Sequence, residues 1–319
     1  MPKLRVAFDT NVYRGISEDR FEELRRLERA HSVVGVSTYW VAAELLSHLA
    51  SDSDPSFNAA LAGLRRLILH CRKYNGSQYS LRFLGDVDSQ IAYTLFGTRL
   101  FTDQDSPYDL AWLVGRFAPE GELNDSPEHV GILIDIAHEV KIAELRFAQN
   151  IWENMVLKLI PDAQGWTDLA RNKTQREKAL EELASPEAER VTAQVLIDRV
   201  AAKLGREISA DEREAKVEEL RETLIVPIRL QNALFARILR DGLDLSKGKH
   251  SNTLWDLHIV FCASTFTELD RTPFCLVTDD RPILRAAQEG KVADGILSLA
   301  EYEAALKKHT LPQPRPLAD

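Results

Sequence analysis

The chain has 319 residues and a formal net charge of −9, so it lacks the basic surplus that a sequence-independent nucleic-acid binder usually carries. Hydrophobic residues make up 45% of the chain and charged residues 28%, a globular balance that excludes wholesale disorder. No apolar run approaches the roughly 18 to 20 residues that cross a bilayer, so a membrane partner is not expected.

The first fifty residues alternate between short apolar runs and helical patterns. Leu4 to Phe8 predicts a buried strand that ends at Asp9, and 32–37 predicts a second strand. Helices are predicted around 20–30 and over 41–49. This alternation is typical of a parallel α/β sheet.

Between residues 51 and 245 the strand signals almost vanish. The sequence predicts a long helix from about residue 127 toward residue 160, followed by charged, amphipathic helices over 175–184, 187–204 and 210–240. Ser209 has the pattern of a helix cap. Pro227 is expected to kink or break the last of these helices.

The far end returns to the alternation of strands and helices. Its predicted elements, in chain order, are a helix over 254–266, a strand over Phe274 to Val277, a helix that begins near Pro282, a strand over 295–299 and a short closing helix. We therefore predict one α/β domain, formed by residues 1–50 and 246–319 and interrupted by a mostly helical insertion, 51–245.

The cysteines and the N-terminus favour a cytoplasmic location. Cys71, Cys262 and Cys275 are widely spaced and form no CxxC pair, which predicts reduced thiols and neither a zinc site nor a disulfide framework. The opening MPKLRVAFDT enters a strand-like run directly and has no apolar core of a secretory signal.

Four acidic residues occupy related places in this predicted order. Asp9 and Asp280 follow strands, whereas Glu44 and Asp256 lie near the starts of helices. Ligands of parallel α/β sheets bind beyond the carboxyl ends of the strands, so these side chains are expected to converge. Four carboxylates in one cleft repel one another unless cations neutralise them, and oxygen ligands suit Mg²⁺ or Mn²⁺.

Each acid also has a purely structural interpretation. Asp9 fits an Asx-turn or helix cap, Glu44 a solvent-facing helix position, and Asp256 a first-turn aspartate that favours the helix dipole. One acid of the pair Asp279 and Asp280 fits a cap for the helix at Pro282. The combination of the four, in this order along the chain, favours one shared metal site.

Five segments together resemble the ordered motifs of PIN-domain nucleases: VAFDTNVY, TYWVAAELL, NTLWDLHIVFCAS, CLVTDDRPIL and GILSLAEYEAA. The resemblance implies a three-layer α/β/α fold with a central parallel sheet and RNA cleavage that depends on Mg²⁺ or Mn²⁺. It covers about 120 residues at the two ends. The long interval between Glu44 and Asp256 departs from a compact domain of this family, so residues 51–245 must hold both core helices and an insertion.

The same resemblance assigns roles to individual residues. Its four acids match Asp9, Glu44, Asp256 and Asp280, which become the catalytic residues and metal ligands. Its secondary groups, which orient carboxylates, phosphate or metal-bound water, match Thr10, Asn11 and Thr278. Asp279 occupies a variable secondary position and is the alternative to Asp280 as the ligand.

A cationic loop precedes the predicted helix of Asp256. Lys247, Lys249 and His250 could hold a substrate phosphate there, or they could form an ordinary solvated loop. The expected partners are RNA, a protein partner or inhibitor that binds the helical insertion, and a second copy of the chain in a homo-oligomer.

Three functions are compatible with these observations. The first is a metal-dependent endoribonuclease, including an RNase toxin or a defence nuclease. The second is a catalytically weak scaffold on a PIN-like fold, in which the insertion binds a protein. The third is a metal phosphohydrolase for a small substrate. It is disfavoured because a HAD-type phosphatase needs a second aspartate two residues after the first, and this chain has Asn11 at that position.

Overall fold

The computed structural model describes a chain with seven strands and a larger number of helices among the described residues. The described residues are 4–49, 51, 53–75, 78–84, 87–98, 100, 134–135, 137–138, 142, 145–146, 148–149, 151–185, 187–247, 250, 253, 256–257, 259–260, 274–292 and 295–311. Within them, no helix is both long enough and apolar enough to cross a membrane.

Five strands form one parallel sheet in the order β5-β2-β1-β6-β7, and β3 and β4 form a separate antiparallel pair. Their bounds are β1 Leu4–Phe8, β2 Val33–Thr38, β3 Arg72–Asn75, β4 Gln78–Leu81, β5 Phe83–Leu84, β6 Phe274–Val277 and β7 Ile296–Leu297. The prediction of an α/β fold with a parallel sheet is therefore confirmed.

Helices make up most of the rest of the described chain. Their bounds are α1 Thr10–Gly15, α2 Glu18–Ala30, α3 Tyr39–Ser47, α4 Phe57–Cys71, α5 Val87–Phe96, α6 Leu157–Leu159, α7 Trp166–Arg171, α8 Lys173–Leu183, α9 Glu187–Lys203, α10 Ala210–Asp241, α11 Arg281–Glu289 and α12 Leu299–Lys308. A π-helical segment, Trp152–Val156, immediately precedes α6.

The centre of the sheet is covered on both faces. Every residue of β6 is buried, and β1 is buried except at the half-buried Arg5. Continuous apolar strands of this kind are typical of parallel sheets that lie between helices. The arrangement is compatible with a three-layer α/β/α fold.

The segment 51–245 differs from the prediction because it contributes to the sheet. Its short strand β5 pairs with the end of β2, and its helix α4 packs against β2. The strand β5 has two half-buried residues, which is too short for an apolar alternation to reveal. The sheet therefore extends past residue 50. The helices that follow β5 in segment 51–245, from α5 to α10, are called the helical elaboration.

The long helix α10 confirms two expectations from the sequence. Ser209 caps it by accepting a hydrogen bond from the Glu212 amide at 3.1 Å. Leu224, three residues before Pro227, leaves helical geometry with φ −115° and ψ 25°. Proline lacks the amide hydrogen and its ring crowds the preceding turn, so the kink falls in that turn.

A buried hydrogen-bond chain joins four helices beneath β1. The Tyr302 hydroxyl donates to Glu28 Oε1 at 2.9 Å, and His70 Nε2 lies 3.2 Å from the same oxygen. His70 Nδ1 lies 2.7 Å from the Tyr13 hydroxyl, and the imidazole stacks on Phe8 with ring centroids 4.3 Å apart. Burial lowers the pKa of His70, but the charge of Glu28 and nearby polar groups outweigh it and raise the pKa to about 9.

This network predicts a stability that depends on pH. The pKa of His70 is higher in the folded chain than the ordinary 6.5, so its contribution is complete below pH 6.5 and is lost as the pH rises through about 9. Urea titrations should show the free energy of unfolding falling over that interval. Glu28→Gln should lower stability at pH 6.5 and flatten the slope; an unchanged slope would contradict a charged His70–Glu28 pair.

Gly35 should tolerate no side chain, because it faces the same imidazole. A Cβ at Gly35 would lie 2.4 Å from the His70 ring, which Phe8 and Tyr13 hold in place. We expect Gly35→Ala to lower the free energy of unfolding by about 1–3 kcal/mol. Gly15→Ala is the matched control, since an added Cβ there meets nothing within 4 Å. Equal stability of the two variants would contradict the close approach.

Candidate functional site

The pairing of β1 with β6 brings Asp9 next to Thr278 at the carboxyl edge of the sheet. The Asp9 amide donates to the Val277 carbonyl at 2.9 Å, which continues the strand ladder. The Thr278 hydroxyl donates to Asp9 Oδ2 at 2.6 Å, and Asn11 Nδ2 donates to the same oxygen at 2.7 Å. Asp9 Oδ1 accepts the Thr10 amide at 2.6 Å and so caps α1. The carboxylate is therefore held in one orientation.

Glu44 reaches the same edge from α3, which starts directly after β2. Thr38 caps α3 by accepting from the Val41 amide at 3.4 Å. The Thr10 hydroxyl donates to Glu44 Oε2 at 2.8 Å. Glu44 lies in the second turn of α3 instead of at its start, and it is half-buried. It does not have the solvent-facing position of the structural interpretation.

The adjacent aspartates after β6 point to different places. Asp280 caps α11 by accepting from the Ile283 amide at 3.0 Å, and its own amide donates to the Thr278 hydroxyl at 2.9 Å. The carboxylate of Asp279 instead accepts from the Leu299 amide at 3.0 Å, at the start of α12. Asp280 is therefore linked to Asp9 through Thr278, and its charge acts on the pKa of Asp9.

Asp256 is helical and half-buried. Burial is the main cause that raises the pKa of Asp256 well above its ordinary value, and the charges of Asp280, Asp9 and Glu44 raise it further. Charge effects of this kind weaken with distance, so Asp256 lies in the same region of the molecule as Asp280, Asp9 and Glu44.

Asp9 is subject to the same repulsion. Its residue is 8% exposed, and burial raises its pKa to about 7 against the opposing hydrogen bond from Thr278. The charges of Glu44 and Asp280 raise this pKa further, and the Thr10 amide lowers it. Burial and the neighbouring charges therefore both oppose the ionisation of Asp9.

Arg237 is a residue of this region that the sequence did not indicate. Its charge lowers the pKa of Asp256, against the effect of the acids, and its Nε lies 3.3 Å from Asp241 Oδ2. It belongs to α10, which packs on α11. The many arginines of α10 gave no periodic signal that would single it out.

In the predicted cationic loop, Lys247 pairs with a carboxylate of the loop itself. The ammonium of Lys247 lies 3.2 Å from the carboxylate of Asp244, which also accepts from Ser246 and from Thr167 at 2.8 Å. Burial raises the pKa of Asp244, but these partners outweigh it and lower the pKa to about 2. Lys247 is thus engaged in anchoring the loop. His250 is half-buried, and Lys249 lies outside the described residues.

Comparisons of the chain with protein-family models, with curated proteins and with solved structures give no match.

The carboxylate oxygens of the acids are the donor type that a hard divalent cation prefers, but no three His, Cys, Asp or Glu side chains among the described residues are grouped so that they could hold a metal ion. Asp9 Oδ2 accepts two hydrogen bonds and Oδ1 accepts one, which leaves one acceptor position on the carboxylate among the described residues. Asp280 uses Oδ1 to cap α11, and its Oδ2 has no hydrogen bond there. The acids thus retain oxygen lone pairs of the kind that Mg²⁺ and Mn²⁺ prefer.

Removing one acid should stabilise the fold when divalent cations are absent. Asp256→Asn removes one of the mutually repelling charges, so we expect the free energy of unfolding in chelator to rise by on the order of 1 kcal/mol. Excess Mg²⁺ or Mn²⁺ should then favour the native chain more than the variant. Asp162→Asn, at an exposed turn, is the control. A loss of stability in chelator for Asp256→Asn alone would contradict dominant repulsion.

Proposed function

We propose that the chain is a divalent-metal-dependent endoribonuclease with a PIN-like α/β/α domain. The observation that supports this most directly is the mutual effect of four carboxylates at one sheet edge, where Asp256 is influenced by Asp280, Asp9 and Glu44. Such a set is stable as anions only when cations neutralise it. RNA as substrate is supported by the resemblance of the sequence motifs to those of PIN-domain nucleases.

The four acids have different roles in binding the ion. Asp9, Asp256 and Asp280 would hold Mg²⁺ or Mn²⁺, and Glu44 would complete the site or support a second ion. When bound, the ion supplies positive charge that activates a water and stabilises the charge that builds on a phosphoryl oxygen.

Neighbouring polar groups position these acids. Thr278 and Asn11 each donate to Asp9 Oδ2, and Thr10 donates to Glu44. Hydrogen bonds that fix ligand side chains typically change metal affinity or activity by about 10–100-fold. Arg237 adds a positive charge beside Asp256, which reduces repulsion of an approaching phosphate.

The proposed substrate is single-stranded or structured RNA, and hydrolysis leaves a 5′-phosphate and a 3′-hydroxyl. The net charge of −9 is compatible with this role, because local cations and bound metal replace a basic surface. We propose a toxin or defence nuclease, in which the helical part of segment 51–245 binds a protein partner or inhibitor.

The decisive experiment measures cleavage of a mixed RNA panel with Mg²⁺, with Mn²⁺ and with chelator. Asp9→Asn and Asp280→Asn should each lower the cleavage rate by at least about 100-fold, since each removes a ligand charge and not only a group that orients one. Asp162→Asn is the matched control for the same chemical change at an exposed turn. Circular dichroism confirms that each variant is folded.

The tandem acids give a sharper comparison within the same assay. Asp279→Asn keeps an oxygen that can accept from the Leu299 amide, so its loss of activity should be much smaller than that of Asp280→Asn. If Asp279→Asn lost more activity than Asp280→Asn, the metal ligand would be Asp279. Native chain that cleaves no RNA would overturn the proposal in favour of a scaffold, and equal cleavage in chelator would overturn its dependence on a metal ion.

A further inference from the structure

A second concave site lies in the helical elaboration, between the π-helical segment Trp152–Val156, α6, α9 and α10. Its cavity has a volume of about 100 Å³. An apolar cavity of about 150 Å³ accommodates benzene in another protein, so this one suits a group the size of a single ring. A π-helical turn in its wall is a second sign, because such turns occur frequently at functional sites.

The wall of the cavity is mainly aliphatic. Ile151 and Met155 line it from the π-helical side, and Val191, Val195 and Leu196 line it from α9. Val191 is 37% exposed and marks the mouth, whereas Leu196 and Ile151 are 3% exposed. Such a surface binds an apolar body through burial and shape.

One buried polar side chain in the cavity has no hydrogen-bond partner among the described residues. Gln231 of α10 lines the cavity and is only 8% exposed. No hydrogen bond reaches its carboxamide from the described part of the chain, and neither of its polar atoms is both fully buried and unpaired, so the carboxamide is open to the cavity. Its donor and its acceptor are therefore available to a ligand.

The charges around the cavity favour a neutral ligand. Arg199 lines the cavity but its guanidinium pairs with the buried carboxylate of Asp88. Lys158, Glu182 and Glu187 line the cavity at exposed positions and carry charges of both signs. A charged group pressed into the cavity would find no free buried counter-ion among the described residues, and its desolvation would oppose binding.

We propose that this cavity is a binding site for a small neutral molecule with a one-ring apolar body and a carboxamide edge. The ring packs between Met155 and Leu196, and the amide edge pairs with the donor and the acceptor of Gln231. Paired amides satisfy both groups at once, which selects this edge over a ketone or a hydrocarbon. This site is independent of the proposed nuclease centre.

The chain provides a reporter for this site, because its two methionines are Met1 and Met155. Methyl-¹³C-methionine labelling therefore gives one signal from the cavity and one from the N-terminus. Benzamide is the probe; its ring current should shift the Met155 methyl signal upfield, with saturation and a Kd at or below about 1 mM. The Met1 signal should not move.

Ligand and protein controls isolate the amide pairing. Acetophenone has the same ring and an acceptor but no amide donor, and benzoate is charged; both should bind about tenfold more weakly than benzamide. Gln231→Leu should weaken benzamide by a similar factor while leaving acetophenone unchanged. Val191→Trp blocks the mouth at an exposed position, so it should abolish the shift even if Gln231→Leu fails to fold.

Three results would overturn the proposal: no Met155 shift up to about 10 mM benzamide, equal binding of benzamide and acetophenone, or full binding by folded Gln231→Leu and Val191→Trp. Asp280→Asn should bind benzamide as the native chain does, whatever its nuclease activity. The fate of the nuclease proposal is thus measured separately.

Discussion

The parallel pairing of β1 with β6 is the contact on which the rest of the site depends. Phe8 lies beside Val277 in register, so the residues that follow, Asp9 and Thr278, meet although 269 positions separate them. Side chains alternate between the faces of a strand, so a slip of one residue would remove the hydrogen bond between Thr278 and Asp9 and misplace both helix caps that follow. The apolar burial of β6 and β1 fixes that register, and the polar edge is a consequence of it.

Buried acids elsewhere in the described chain are paired with cations, and this contrast makes the sheet edge distinctive. Asp88 has Arg199 and Lys203, and charge attraction lowers its pKa in spite of burial. Glu28 lies against His70, whose pKa is raised to about 9. Asp9 and Asp256 have raised pKa values because burial and like charges outweigh their partners. Raised pKa values of this kind cluster at functional sites, and this contrast is the reason that we propose a cation site there.

Four of the five strands of the parallel sheet, several helices and the places of Asp9 and Asp280 directly after their strands could be predicted from sequence, because apolar periodicity specifies these elements locally. The choice between Asp279 and Asp280 could not, since each caps a helix: Asp280 caps α11, and Asp279 accepts from the first turn of α12. The helix-capping propensity of an aspartate is the same at both positions. Only the path of the chain after β7, which brings Leu299 to Asp279, distinguishes their roles. Arg237 was missed for a related reason, because its relation to Asp256 depends on how α10 packs.

The helix α10 connects parts of the molecule that the sequence separates. Its first half pairs with α9 through ion pairs such as Arg213 with Asp198, and its end contacts α11 through Arg240 and Glu289. Beyond the kink before Pro227, the helix carries Gln231 in the cavity and Arg237 beside Asp256, about 9 Å apart along the axis. Gln231 and Arg237 thus lie on one helical segment, which links the elaboration to the region of Asp256. The helix α10 packs on α11, the helix that Asp280 caps. This packing explains how a segment outside the motifs supplies charge to the site.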